Sequence, residues 1–335
     1  MVADRTLYDR LVTWYTSAKV QRRERRKHFA TELRCISANG QTALRPDDLP
    51  LLFLTHNDAK LVPSLLAHYR KLGVTRFICV DDVSTDGTRE YLLAEPDVDL
   101  WASSIRFKDA RRGRAWREAL FGLYGYGRWY VNIDSDEFLV YDDYENRPLR
   151  SLIDALEENN IRRLPAPMLD MYPVDIDAAD VDQLKTRAPH EIADHFDASG
   201  YTLSTTKRAI SVKGGPRQRE FSYDLEMIKY PLIFWDKTCR FGASIHQPLP
   251  YQRNFPPVLG VLLHFKFFAD YEKVFQDAVA DGQYFDGSAA YAKMNDVLAE
   301  TGALKLFSSS SVKFEGSRQL LELGFITPVP AASRG

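Results

Sequence analysis

Asp134-Ser135-Asp136-Glu137 follows the apolar run Trp129-Tyr130-Val131-Asn132-Ile133. It places two carboxylates at i, i+2 where a strand is expected to end. If the strand continues to that point, side-chain alternation aims Asp134 and Asp136 the same way. Like charges held that close repel, and a cation between them relieves the repulsion. An oxygen-only set suits a hard divalent ion, Mg²⁺ or Mn²⁺, with positions left open for phosphate oxygens. A calcium loop of the EF-hand type needs Asp or Asn and then Gly where this chain has Phe138 and Leu139, so it is excluded. The alternative to a metal–diphosphate site is an acidic surface turn.

A second acidic string, Asp81-Asp82-Val83-Ser84-Thr85-Asp86-Gly87-Thr88, ends another apolar run. An acid there can accept hydrogen bonds from a nucleobase NH or a ribose hydroxyl. Ser84 and Asp86 suit the cap of a following helix, and Gly87 permits positive φ. A phosphatase of the haloacid-dehalogenase type requires a nucleophilic Asp where this chain has Ser84, which excludes that chemistry. Farther on, Arg217 and Arg219 stand beside Gly214-Gly215-Pro216, where guanidinium forks suit a diphosphate; a solvated loop is the alternative.

The elements that must carry these residues are read from periodicity. Residues 1 to about 45 predict a helical extension ending at Arg45-Pro46-Asp47-Asp48. Short apolar runs predict strands at 51–55, 76–80, 98–101 and 129–133. Helical spacing predicts helices at 61–72, 88–93 and 113–124 between them, with Trp116 packing in the core. This alternation predicts an α/β protein with a mostly parallel sheet flanked by helices, whose ligands bind beyond the carboxyl ends of the strands. Asn57-Asp58, Asp81-Asp82 and Asp134–Glu137 all fall at such ends. Beyond 150 the expectations are a helix at 152–159, strands at 164–171, 232–235 and 258–268, and helices at 271–280 and 288–301. Residues 173–220 read as polar and turn-rich, and a frayed Pro-rich tail follows Thr327.

A chain of 335 residues, 45% hydrophobic and 27% charged, has the balance of a globular protein able to bury a core. A net charge of −2 offers no global attraction to nucleic acid. Cys35, Cys79 and Cys239 match no zinc or disulfide spacing, so the expectation is a reducing, cytoplasmic compartment. No run approaches a membrane span, and the N-terminus lacks a signal peptide's apolar region. Between Lys19 and Lys27 the bases Arg22, Arg23, Arg25 and Arg26 surround one acid, Glu24. That run reads as a solvated helix face or as a peripheral contact with anionic lipid at the inner membrane. RNA binding lacks the aromatic-rich motif that would accompany it.

Taken together, the Asp81–Thr88 string and the Asp134-x-Asp136-Glu137-Phe-Leu-Val string some fifty residues later resemble a family 2-type glycosyltransferase of the GT-A fold. The resemblance extends to a bacterial subgroup with Gly214-Gly215-x-Arg217-x-Arg219, Lys229-x-Pro231-Leu232, Ser244-x-His246 and Leu263-His264-Phe265-Lys266-Phe267. It covers roughly residues 48–300. His56-Asn57-Asp58 departs from the family's Arg-Asn-Glu and leaves a shortened carboxylate. The resemblance implies a nucleotide-sugar-binding half over 48–150 and an acceptor-side half over 151–300, which leaves the basic helical extension as 1–47 and a helical or tail segment as 301–335.

It also implies transfer of a sugar from a UDP- or GDP-linked donor to the hydroxyl of a glycan or lipid-linked acceptor, in surface polysaccharide or glycoconjugate synthesis. By similarity Thr55, Asp58 and Asp81 or Asp82 hold base and ribose, Asp136 binds Mn²⁺ or Mg²⁺, Asp134 contacts ribose or metal, and Arg114 meets the donor sugar. A late histidine often completes the metal shell in such enzymes; His246 and His264 both qualify, and Lys266 would add a phosphate-binding cation beside His264. If the anomeric configuration inverts, a base must deprotonate the acceptor. The candidates are Asp170, Glu220 and Asp224. A non-catalytic sugar-nucleotide-binding subunit on the same fold is the runner-up. A sugar nucleotidyltransferase would carry a Gly-rich, Arg-containing loop after the first strand, which Thr55–Asp58 does not supply.

Overall fold

The computed structural model describes residues 5–27, 29, 31–38, 40–283 and 288–329. The expected tail beyond 329 lies outside the described residues. Helix α1 (Leu7–Glu24) leads into strand β1 (Leu33–Cys35). Then β2 (Pro50–Thr55), α2 (Val62–Lys71), β3 (Arg76–Asp81), α3 (Thr88–Ala94), β4 (Val98–Ser103), α4 (Arg114–Tyr124) and β5 (Arg128–Asn132) alternate as the periodicity predicts. Strands β4, β3, β2 and β5 lie side by side and parallel. The α/β class and the Rossmann-like first half are as expected.

Alternation along β2 and β3 shows why the sheet needs two helical layers. Leu51, Phe53, Phe77 and Cys79 join one core, with Leu65 and Tyr69 of α2. Leu52, Leu54, Ile78 and Val80 join the other, with Trp116, Leu120 and Phe121 of α4. Continuous apolar strands of this kind are the mark of a sheet buried on both faces.

The N-terminal extension is not wholly helical. β1 pairs antiparallel with β4 and closes that edge of the sheet, with Leu33 and Cys35 packed against the α4-side core. Three residues are too few for period to reveal them. No helix among the described residues is long and apolar enough to cross a membrane.

The second half bends the sheet. β6 (Glu137–Val140), α5 (Leu149–Glu158) and β7 (Arg163–Met171) precede β8 (His195–Asp197), the hairpin β9 (Tyr201–Thr205) and β10 (Ile210–Gly214), and α6 (Pro216–Phe221). The stretch expected to be turns thus holds a hairpin and a short helix. Strand β9 is mostly exposed and carries little apolar signal. Next come β11 (Ile228–Trp235), the short pair β12 (Arg240–Phe241) and β13 (Pro248–Leu249), and β14 (Val261–Phe265). α7 (Tyr271–Asp281), α8 (Ala289–Thr301), β15 (Ser311–Lys313) and α9 (Ser317–Glu322) complete the chain.

Strand β7 is shared. Its first part pairs antiparallel with β11, and Met168–Met171 pair parallel with β14. β11 joins β7 to β5, while β6 runs antiparallel along the far side of β14. This register sets His264 opposite Asp170 on one side and Glu137 on the other.

Tyr69 of α2 pins the start of β6. Its buried hydroxyl donates to the Glu137 carbonyl and accepts from the Leu139 amide, each at 3.0 Å. Tyr69→Phe leaves two buried backbone groups without that partner and should lower stability by roughly 2 kcal/mol. A shift of the urea midpoint measures it; an unchanged midpoint would show that β6 does not depend on this hydroxyl.

Candidate functional site

The acidic tetrapeptide lies in the turn joining β5 to β6, with the Glu137 amide donating to the Asp134 carbonyl at 3.2 Å. The expected alternation of a continuing strand therefore does not apply. The two carboxylates part company because each meets a different set of cations.

Asp134 turns toward α4 and β11. Arg117, fully buried, donates to Asp134 Oδ1 at 2.5 Å, to the Ile133 carbonyl at 2.8 Å and to Asn132 Oδ1 at 2.6 Å. The Lys229 ammonium bridges Asp134 and Glu137. Burial alone would raise the Asp134 carboxyl, but Lys229 and Arg117 outweigh it and hold it down at about 2. Glu137 is pushed up by burial, against the pull of Lys229. Glu137, without a role in the sequence reading, is the second anchor of Lys229. Arg117 is not among the residues singled out from sequence, and Lys229 stands there only as part of the Lys229-x-Pro231-Leu232 string, with no role given. Arg117 looks like any helix charge until α4 is seen to aim it at the end of β5.

Asp136 faces the opposite way. Its Oδ2 lies 3.2 Å from His264 Nε2 and 3.2 Å from Lys266 Nζ. His264 Nδ1 lies 2.6 Å from Asp170 Oδ1, and Arg217 Nε donates to Asp170 Oδ2 at 2.7 Å. Burial opposes charge on the His264 ring, yet Asp136 and Asp170 together raise its pKa. Asp136 is held well below the usual carboxylate range, since Lys266 and His264 outweigh the effect of burial.

Of the four expected metal ligands, Asp136 and His264 have the spacing of neighbouring ligands, and here they form an ion pair that Lys266 joins. Neighbouring ligands of an octahedral Mg²⁺ or Mn²⁺ stand about 3 Å apart, the separation of these two atoms. A carboxylate on the other ring nitrogen, here Asp170, is the usual support of a metal-binding histidine. Asp134 does not fit, because Arg117 and Lys229 occupy its oxygens. His246 lines the same cavity with its Nδ1 2.7 Å from the Ile228 carbonyl, also a usual support of a metal-binding histidine, but Asp134, the acid whose charge acts on it, is held by Arg117 and Lys229. Among the described residues no group of three or more His, Cys, Asp or Glu side chains is arranged to hold a metal ion.

Asp134, Asp136, Glu137, Lys229 and His264 line a cavity of about 580 Å³ at the carboxyl ends of β2, β3 and β5. Thr55, Asp58, Asp82, Arg114, Arg217, Asp224, His246 and Lys266 reach it as well. Asp58 accepts from Thr55 Oγ1 at 2.8 Å and from Ser135 Oγ at 2.6 Å, so the tetrapeptide's serine ties the end of β2 to the turn. Burial, reinforced by Asp136, raises the Asp58 carboxyl.

Asp81 and Asp82 separate by strand alternation: Asp82 lines the cavity and accepts from Arg106 Nε at 3.0 Å. Asp81 is buried on the other side, held by Arg89 Nε at 2.7 Å and the Ser84 amide at 3.1 Å. Of that pair, only Asp82 is placed to meet a ligand. Arg114 spends two donors on the carbonyls of Arg111 and Gly242.

The arginine pair separates similarly. Gly214 and Gly215 turn β10 into α6 with φ of +123° and +78°, and a Cβ on Gly214 would stand 2.1 Å from the Gly200 carbonyl. Arg217 then points inward to Asp170, while Arg219, two residues on and across the helix, binds Asp197 and the Leu306 carbonyl. Arg219 is not part of the cavity wall, and the expected two-arginine clamp is not formed. Among the base candidates, Asp170 is fully buried with both oxygens engaged, so it cannot reach an acceptor and instead orients His264. Glu220 pairs with Arg219 away from the cavity. Asp224 lines it, half-exposed and paired with Lys213.

Lys229→Met would leave Asp134 and Glu137 without their shared cation, and should cost roughly 3 kcal/mol. In that variant Glu137 would have a folded pKa far above its unfolded value, so stability would be retained below the unfolded pKa, near about 4, and lost as pH rises through the folded one. Thermal melts across pH should show a deficit that grows with pH, and adding Glu137→Gln should recover part of it. A pH-independent deficit would contradict this account.

No protein-family model matches the chain. No curated protein matches it either. Three solved structures give distant likenesses. HddC from Yersinia pseudotuberculosis is 10% identical, over 66% of this chain and 92% of that one, with a TM-score of 0.31. A 4-diphosphocytidyl-2C-methyl-D-erythritol synthase is 12% identical over 83% and 98%, with a TM-score of 0.27. The inositol-1-phosphate CTP transferase from T. maritima is 12% identical over 76% and 98%, with a TM-score of 0.28.

Proposed function

We propose that this protein is a metal-dependent glycosyltransferase that moves a sugar from a nucleoside-diphosphate donor to an acceptor hydroxyl. The observation that carries the reading is the chain Asp136–His264–Asp170–Arg217, which opens into the large cavity at the strand ends. Asp136 Oδ2 and His264 Nε2 would hold Mn²⁺ or Mg²⁺, which when bound supplies positive charge to the leaving diphosphate. Asp170 fixes the ring so that Nε2 faces Asp136. Lys266, on the same side of that pair, is placed to take a phosphate oxygen.

Asp58 and Asp82, at the ends of adjacent parallel strands, are the acceptors for base and ribose. Asp224 is the one of the three base candidates with a route to an acceptor, and it is the base in this proposal if the configuration inverts. The absence of a Gly-rich loop after β2 continues to speak against nucleotidyl transfer.

The test of this reading is metal-dependent release of nucleoside diphosphate across a panel of nucleotide sugars. Asp136→Asn keeps the side chain's shape and should lower the rate by about 10²–10³-fold in a protein that still melts cooperatively. An unaltered rate would end the proposal. Turnover with a competent acceptor separates it from a non-catalytic binding subunit.

One observation favours a second reading. Lys266 already stands 3.2 Å from Asp136, and Lys229 and Arg117 already neutralise Asp134. Cationic side chains alone could then carry the diphosphate. UDP or GDP at about 100 times its Kd should stabilise the fold by about 2.7 kcal/mol. In the metal-dependent reading a chelator abolishes this gain; equal stabilisation in chelator would favour the lysines.

A further inference from the structure

Helix α1 wears its apolar side chains outward. The face against the body of the protein is small or polar: Thr13, Ser17, Val20 and Glu24 are its buried residues. Thr13 Oγ1 donates to the Lys207 carbonyl at 3.0 Å, and Ser17 Oγ accepts from the Tyr251 amide at 3.1 Å. Leu7, Tyr8, Leu11, Trp14 and Tyr15 are 58–75% exposed. At about 100° per residue their spacing gathers them on one stripe about 120° wide, opposite the packed face. A helix of a monomeric globular domain normally buries such a stripe.

The same outward side turns basic toward its end. Arg22 continues the stripe and Lys19 flanks it, with exposed Arg23 beside them and Arg25, Arg26 and Lys27 exposed just past the end of the helix. Glu24, the acid in this stretch, points inward to Arg111 at 3.1 Å and is also held by Lys27 at 2.9 Å. The exposed surface of α1 therefore carries concentrated positive charge on a chain whose net charge is −2.

We infer that α1 is a membrane-interface helix whose Leu7–Tyr15 stripe seats at the headgroup boundary of a bilayer while Lys19–Lys27 pairs with anionic lipid. Tyr and Trp are suited to that boundary, with an apolar body and a polar tip. Charge complementarity selects the bilayer over a second copy of this chain, which would bring the same basic cluster to that face. The helix also touches the cavity wall indirectly. Arg111, bound to Glu24, donates to the Gly242 carbonyl at 2.7 Å, and Ala243–His246 beyond it line the cavity. The inference does not depend on the reaction proposed above.

Co-sedimentation of the full chain with phosphatidylcholine vesicles, with and without phosphatidylglycerol, tests it. The protein should pellet with the anionic vesicles, and less so as salt rises. Trp14 is the exposed tryptophan among the five, so its emission should shift to the blue on binding. Trp14→Ser/Tyr15→Ser and Arg22→Glu/Arg26→Glu should each weaken partitioning by about 10-fold or more, at unchanged melting temperature. Equal partitioning to neutral vesicles, or variants that bind like the parent, would overturn the inference. So would a dimer dispersed by Trp14→Ser/Tyr15→Ser in a protein that ignores vesicles, which would assign the stripe to a second copy.

Discussion

The buried ammonium of Lys229, between Asp134 and Glu137, is the interaction on which the site depends. It joins β11 to both ends of the β5–β6 turn, and Arg117 brings α4 to the same carboxylate. Three segments distant in sequence are locked together by charges that would each be costly to bury alone. The turn cannot relax without stranding one of them. Because Asp134 is consumed in this lock, Asp136 is the acid left to face His264.

Backbone register does the rest. The sharing of β7 between β11 and β14 brings Asp170, His264 and Glu137 into one row, although about 130 residues separate the first and last members of that group. A one-residue slip of β14 would turn His264 to the opposite face and dissolve the pairing with both acids. The Asp136 carbonyl accepts from the Phe265 amide at 2.9 Å, so backbone as well as side chains holds the turn against β14. The cavity wall is built from buried, mutually oriented charges, the kind of arrangement that binds charged ligands without reorganising.

Much of this was legible in the residues. The Rossmann-like half followed from apolar runs at regular intervals, and the strand-end acids Asp58, Asp82 and Asp136 were recognisable because acids at those ends serve no core. His264 and Lys266 were visible as polar residues closing an apolar strand. Strand β1 and the β9–β10 hairpin were not, since a three-residue edge strand and a solvent-facing hairpin lack periodic burial. Arg117 and the role of Lys229 were not legible for another reason. Nothing in a helix or strand pattern tells a buried cation from an exposed one.

By itself the sequence determined the α/β class, the order of the first parallel strands and the acidic character of their ends, because these depend on local periodicity and on side chains a few residues apart. Only the tertiary structure decided that Asp82 and not Asp81 faces the cavity, that Asp136 and not Asp134 meets His264, that Asp170 orients a histidine instead of meeting an acceptor, and that Arg219 stands apart from Arg217. Those assignments turn on partners dozens of residues away, and the energy of a buried charge is set by what lies within a few ångströms of it, whatever its distance along the chain.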